Sequence, residues 1–288
     1  MALRKYEINE RFENVYYFLK NNSFSENYIS NLRKNWGYIR LNGQIVNIKA
    51  PLNKNDILEI EASPNKKTEI KKCDLPLNIV FEDEYYLLIN KPSGISCMPN
   101  KSHYNMNLAG AICNYFKDEN FVLRIINRLD KDTAGLILIA KDSIAQKDVR
   151  DIQKSYLAIC EGKIDKPVVI DKKILTICHD GINERKRIIS EQGKQAKTFV
   201  KPLKFNEKYS FIELSLEFGR THQIRLHLSS IGHPLVGDEL YGRKSELISH
   251  TALVCNKLIF FHPYRKETLS FEIPLPDDIQ MIIKKCTK

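Results

Sequence analysis

The chain has 288 residues, with 45 Lys and Arg against 35 Asp and Glu, a formal charge of +10, and 43% apolar residues. At roughly 150 residues per domain this length predicts one large and one small domain, and the apolar content excludes wholesale disorder. The longest apolar runs, such as Leu136–Ala140, are far too short to span a bilayer, and the opening MALRKYEINERFEN lacks a signal-peptide core, so a cytoplasmic protein without a membrane partner is expected. Seven cysteines without any Cys-x-x-Cys argue against a disulfide framework and a zinc site. The positive surplus points to an anionic partner, most commonly nucleic acid, although the abundance of Asn, Ile and Lys fits simple compositional bias as well.

Residues 1–62 read as a small module. Phe12, Val15, Tyr16 and Leu19 recur at helical spacing, and Tyr28, Ile29 and Leu32 mark a second helix with Ser25 as its N-cap. Asn42-Gly43 between alternating apolar residues signals a hairpin, and Ile57–Ile60 a closing strand. Arg33, Lys34 and Arg40 fall at the helix–hairpin junction, which suits RNA binding and a solvated basic face equally. The lysine-rich stretch 63–74 reads as a linker. Beyond it, residues 75–288 hold candidate strands Ile79–Phe81, Tyr86–Asn90, Leu136–Ala140, Ser155–Cys160, Phe211–Glu217 and Leu258–His262. Candidate helices are Leu108–Phe116, Ser143–Gln153 and Thr221–Ile231. Strands outnumber helices without alternating with them, which predicts an α+β fold with a mixed, largely antiparallel sheet.

Two segments carry chemistry. In Arg124–Lys141, Asp130 follows Arg128 by two positions and precedes a Thr-Ala-Gly turn into an apolar strand, which sets an acid at a rigid strand entrance. Asp132 competes with it, and an aspartate beside a turn is more often a turn or cap residue than a catalyst. In Phe218–Gly242, arginines and histidines cluster around a helix start. His222 and His227 are five apart, the wrong spacing for a metal pair on one helical face, so polar helix-start and phosphate contacts fit better than a metal.

Together these motifs resemble those of the RluA-type pseudouridine synthases. Pro76–Gly94 is similar to the family's opening strand pair and its Lys-Pro-x-Gly turn. Arg128-Leu-Asp130 with Thr133-Ala-Gly-Leu resembles the signature around the catalytic aspartate, and Lys154–Gly162 the strand carrying the active-site tyrosine. Gly219-Arg-Thr-His-Gln-Ile-Arg225, continuing to Gly237-Asp238 and Tyr241-Gly242, resembles the third motif. The N-terminal module resembles the small S4-type RNA-binding domain of many such enzymes, with Asn55-Asp56 where Gly-Asp is usual.

The resemblance implies conversion of uridine in RNA to pseudouridine, with ribosomal RNA of the large subunit favoured and tRNA open. It implies Asp130 as nucleophile, Arg225 as the salt-bridging arginine that keeps it ionised, Ile224 as an apolar pocket wall and Tyr156 stacked on uracil near carbon 5. Arg128, Arg220, His222, Arg185 and Arg187 become RNA contacts. Uridine and pseudouridine contain the same atoms, so no organic cofactor and no catalytic metal are expected. Three departures stand out: Asn127 where His commonly precedes Arg-Leu-Asp, Ala134 where Ser is frequent, and a shortened segment from Lys141 to Lys154. A noncatalytic ribosome-assembly factor and a base-removing glycosylase are the rival readings, and a monomer is the expected state.

Overall fold

The computed structural model describes residues 3–22, 24, 26–34, 36–61, 70–99, 104–117, 121–179 and 182–285. The N-terminal unit begins with strand β1 (Leu3–Glu7), which the charged sequence did not suggest. Helices α1 (Val15–Asn21) and α2 (Glu26–Lys34) follow, then β2 (Ile39–Leu41), β3 (Gln44–Ile45) and β4 (Ile57–Glu61). The sheet order is β1-β4-β2-β3, antiparallel throughout. Asn14 caps α1 by accepting the Tyr17 N–H, whereas the expected Ser25 cap lies outside the described residues. Val15, Leu19, Ile29 and Leu32 pack on Ile39, Leu58 and Ile60.

Asn42 and Gly43 both take positive φ, 51° and 83°, as the two-residue hairpin requires. Asn42 also donates to Asp56 and accepts the Ile57 N–H, tying the turn to the start of β4. Asn55 has φ 72°, a left-handed position that asparagine tolerates better than most residues, so Asn can stand where the resemblance leads one to expect Gly.

The larger unit is built on one ten-stranded sheet. Its strands are β5 (Ile79–Glu82), β6 (Tyr86–Lys91), β7 (Arg124–Ile125), β8 (Ala134–Ala140), β9 (Arg150–Glu161), β10 (Val168–Asp171), β13 (Lys197–Phe205), β14 (Tyr209–Glu217), β15 (Leu253–His262) and β16 (Glu267–Glu272). The spatial order is β10-β13-β14-β9-β15-β8-β6-β5, with β7 on β8 and β16 on β15. Among the described residues every pairing of this sheet is antiparallel except β8 with β15, so the sheet is mixed and largely antiparallel, as expected. A separate hairpin pairs β11 (Ile174–His179) with β12 (Ile182–Ile189).

Helices α3 (Leu108–Phe116) and α5 (Gln223–Ser229) cover one face, where Ile112 and Leu228 meet Ile137 and Ile139 of β8. Helix α6 (Asp277–Lys285) covers the other through Ile279 and Ile282, against Leu136 and Leu138. The helix expected over Ser143–Gln153 stops early. Helix α4 (Ser143–Asp148) ends at Val149, which is extended, and β9 takes over at Arg150 because β15 offers it a ladder partner there, with β14 joining on the other side from Ser155. The latter half of the expected linker is also docked: the Cys73 N–H donates to Gly110 O of α3, and Lys71 O leaves no room for a side chain at Gly110.

Gly135 governs the centre of the sheet. It has φ 121°, and a Cβ there would stand 2.3 Å from the Cys255 carbonyl oxygen. Only glycine lets β8 lie this close to β15. Gly135→Ala is therefore expected to destabilise the protein by more than about 2 kcal/mol, read as a lower urea midpoint at unchanged m-value.

Candidate active site

The turn from β7 to β8 carries Asp130 and is clamped from several sides. Asn127 is buried; its amide donates to Leu136 O and its carbonyl oxygen accepts the Leu138 N–H, at 3.0 and 2.8 Å. It thus supplies ladder hydrogen bonds where the backbones of β7 and β8 part. The Thr133 N–H donates to Asp130 O, and the Cys97 thiol donates to Leu129 O. On the far side Lys91 is fully buried, with its ammonium donating to the carbonyls of Pro92, Ile95 and Lys131 at 2.8–2.9 Å. Burial lowers its pKa to about 8, against the opposing pull of Asp132 and Asp130. Lys91 joins the Lys-Pro-x-Gly turn to the Asp130 turn through three backbone oxygens, a role the sequence reading did not assign.

Asp130 faces an open cleft. Tyr156 and Lys154 from β9, Leu216 at the end of β14, Leu253 of β15 and the start of α5 complete its lining. Asp130 is the one carboxylate among the lining residues, facing Arg128, Lys154, Arg220 and Arg225; Asp132 does not line the cleft. Tyr156 is buried, and burial raises its phenol pKa well above the usual value, with Cys255 and Asp130 adding to the rise. Beside it the Cys255 thiol is likewise held neutral, its pKa raised by burial to about 12. Tyr156 is thus a neutral phenol at physiological pH.

The direct ion pair expected between Asp130 and Arg225 is replaced by another. Arg225 gives Nε and Nη2 to the two oxygens of Asp238, at 2.8 and 2.7 Å, in a bidentate pair with both side chains buried. Burial would raise the Asp238 pKa, but Arg225 and the N–H groups of Leu240 and Tyr241 together lower it. Burial likewise works against the Arg225 charge, and Asp238, then Asp130, raise its pKa in spite of it. Asp130 therefore feels Arg225 through space, while the direct contact belongs to the carboxylate that fixes Arg225 in place.

The side chain nearest Asp130 in charge terms is His222, with Nε2 3.9 Å from Asp130 Oδ1. Its Nδ1 lies 3.0 Å from the Tyr241 hydroxyl, and its backbone is left-handed at φ 58°. Burial lowers the His222 pKa, Asp130 opposes this, and Arg225 and Arg187 reinforce it, so the imidazole is neutral at pH 7. Gln223 accepts the Arg220 N–H and donates to Lys197 O, fastening the helix start to β13. His227 is fully buried between Thr198 Oγ1 and Lys172 O, both at 2.9 Å, a structural role that leaves no ligand position open.

The sequence-derived site residues converge. Asp130, Tyr156, Arg225, Arg128, Ile224, Arg220 and His222 all line the cleft. Arg187 of β12 joins through its charge on His222 and Tyr241 and through its backbone N–H against the Tyr241 hydroxyl. Arg185 lies on β12, but its side chain is outside the described residues. Asp238, Tyr241 and Lys154 stood in the quoted motifs without a role. The Gly237-Asp238 pair was the available signal: Gly237 has φ 75°, with the His250 carbonyl 2.3 Å from where a Cβ would be.

Residues 85–230 match the family model described as RNA pseudouridylate synthase. The chain belongs to the RNA pseudouridine synthase family. It is 32% identical over 276 residues to an uncharacterized RNA pseudouridine synthase of Bacillus subtilis, covering 90% of this chain and 94% of that protein. It is 36% identical over 227 residues to a ribosomal large subunit pseudouridine synthase D of Nitrosomonas europaea, covering 73% of this chain and 65% of that protein. Among solved structures, human RNA pseudouridylate synthase domain containing 1 superposes with a TM-score of 0.56 at 26% identity, over 70% of this chain and 84% of that one. The chain is an RNA pseudouridine synthase of the RluA type, an isomerase. Among the described residues no helix is long and apolar enough to cross a membrane.

Two outcomes follow for this synthase. Asp238→Asn strands Arg225 without its buried counter-charge and should cost about 3 kcal/mol or more in urea unfolding. His222 and His227 both have folded-state pKa values below the ordinary 6.5. Their contribution is fully present above pH 6.5 and is lost as pH falls, because the unfolded chain then binds protons more readily. Unfolding free energy measured from pH 7.5 downward should fall below pH 6.5, by at most about 1.4 kcal/mol per pH unit for each histidine. His227→Gln should remove one share of that slope.

Proposed function

We propose that this enzyme isomerises specific uridines of large-subunit ribosomal RNA, using Asp130 as the nucleophile on a flipped-out nucleotide. The observation that carries the reading is the cleft itself: one carboxylate among four cationic side chains, walled by Tyr156, Ile224, Leu216 and Leu253. The cations suit the phosphates of an RNA strand. The apolar walls suit a base taken out of its stack. The relatives named as large-subunit enzymes, at 34–36% identity over 73% of the chain, support the ribosomal substrate.

In this mechanism Asp130 forms a bond to the ribose anomeric carbon as the glycosidic bond breaks, and the uracil carries the electron pair away on N1. The uracil turns within the cleft and its carbon 5 attacks the sugar, releasing the Asp130 carboxylate. The carbon 5 proton then leaves and N1 gains one, so atoms and charge balance without a cofactor. Tyr156, held neutral by burial, supplies a stacking face rather than a resting base. Asp130, set free by the second bond formation, is the base at hand.

The S4-like unit over residues 1–62, joined by residues 63–74 to the catalytic unit over 75–288, adds RNA affinity through Arg33, Lys34 and Arg40, all exposed. The enzyme works in the cytoplasm as a monomer on this reading.

Chemical mapping of pseudouridines in ribosomal RNA and tRNA from a deletion strain tests the proposal. At least one large-subunit site should lose its modification and regain it with the wild-type gene. Asp130→Ala should leave it unmodified, although the purified variant unfolds as wild type does. Loss confined to tRNA overturns the substrate, restoration by Asp130→Ala overturns the nucleophile, and release of free uracil in vitro would indicate a glycosylase.

A further inference from the structure

The N-terminal unit is joined to the catalytic sheet by a buried ionic contact that the chemistry at Asp130 does not use. Arg4 of β1 keeps only 6% of its side chain exposed. Its guanidinium pairs with Asp142 through Nη2 and lies 4.2 Å from the Tyr85 ring centroid and 4.9 Å from that of Tyr264. The other oxygen of Asp142 caps α4 by accepting the N–H groups of Ile144 and Ala145, at 2.8 and 2.9 Å. One carboxylate therefore begins a catalytic-unit helix and holds the N-terminal unit.

An apolar contact and a cation–π contact continue the seam. Ile144 is fully buried within the N-terminal core, and the Lys147 ammonium stands 3.4 Å from the Phe24 ring centroid. Domains joined by a linker alone move freely by default, unless their interface is extensive and apolar. A desolvated arginine–carboxylate pair contributes orientation more than net stability, because only one geometry repays its dehydration.

The position of this seam matters. Asp130 precedes the first residue of β8 and Asp142 follows its last, so the two ends of one strand carry the chemistry and the latch. The strand between them, seven residues long, spans about 23 Å.

We propose that the Arg4–Asp142 latch holds the N-terminal unit as a rigid arm, so that the enzyme selects RNAs offering a second backbone contact at a fixed distance of about 23 Å or more from the target uridine. This rests on the RNA-binding reading of the N-terminal unit given above. Lacking the latch, the arm samples many positions and its contact loses the benefit of preorganisation.

The test uses the full chain with Asp142→Asn, which retains a capping side chain but removes the charge, and separately Arg4→Met. Small-angle X-ray scattering reads the arm. Initial rates are compared on a long large-subunit RNA transcript and on a short stem–loop bearing the same uridine. Both variants should show a larger maximum dimension, keep kcat/KM on the stem–loop within about twofold, and lose about tenfold or more on the long transcript. Unchanged scattering in both variants overturns the latch. Equal losses on both RNAs overturn the distance selection. If the wild type modifies neither RNA, the substrate reading fails, while scattering still decides whether the arm is fixed.

Discussion

The close approach of β8 to β15 at Gly135 determines where everything else in the catalytic unit can stand. β15 lies between β8 and β9, so the strand that Asp130 enters and the strand that carries Tyr156 are two ladder spacings apart, about 10 Å. Cys255 touches both sides of this arrangement. Its backbone presses on Gly135, and its thiol lies beside Tyr156. The lone parallel pairing of an otherwise antiparallel sheet thus falls at the point where nucleophile and stacking ring must be brought to one cleft.

Electrostatics around that cleft are arranged in tiers rather than in pairs. Asp238 takes the direct contacts of Arg225, which leaves Asp130 exposed enough to receive a substrate while it still senses a positive charge. A direct salt bridge would occupy the oxygens that have to attack. His222 stays neutral because burial and two arginines outweigh Asp130, so it adds a polar neighbour without neutralising the nucleophile. Beneath them Lys91 holds the turn by its backbone oxygens, which leaves the Asp130 side chain unencumbered.

Much of this was legible from residue patterns. Asn42-Gly43 announced its hairpin because two consecutive left-handed positions admit few residue types, and the apolar run of β8 announced a strand buried on both faces. Strands β10, β11 and β13 were not legible: the first two are short runs of four and six residues, and Lys197, Lys201, Pro202 and Lys204 break the apolar alternation of the third. The end of α4 was misplaced because Ser143–Gln153 has acceptable helical spacing, and only the ladder from β15 decides for strand. The site residues were found through the resemblance of their motifs to those of the RluA-type enzymes, but the partner of Arg225 was not. Asp130 and Asp238 are both plausible mates for an arginine, and choosing between them requires the turn after Gly237 that points Asp238 inward.

Strand β8 also sets a limit on how this chain can vary in length. Its alternate residues belong to different cores: Ile137 and Ile139 to the face beneath α3 and α5, Leu136 and Leu138 to the face beneath α6. Inserting one residue would exchange the two sets and rotate everything downstream to the opposite side of the sheet. Deleting two would preserve the faces but draw Asp142, and the arm it holds, about 7 Å toward Asp130. Length changes are therefore confined to segments outside the span between the two aspartates.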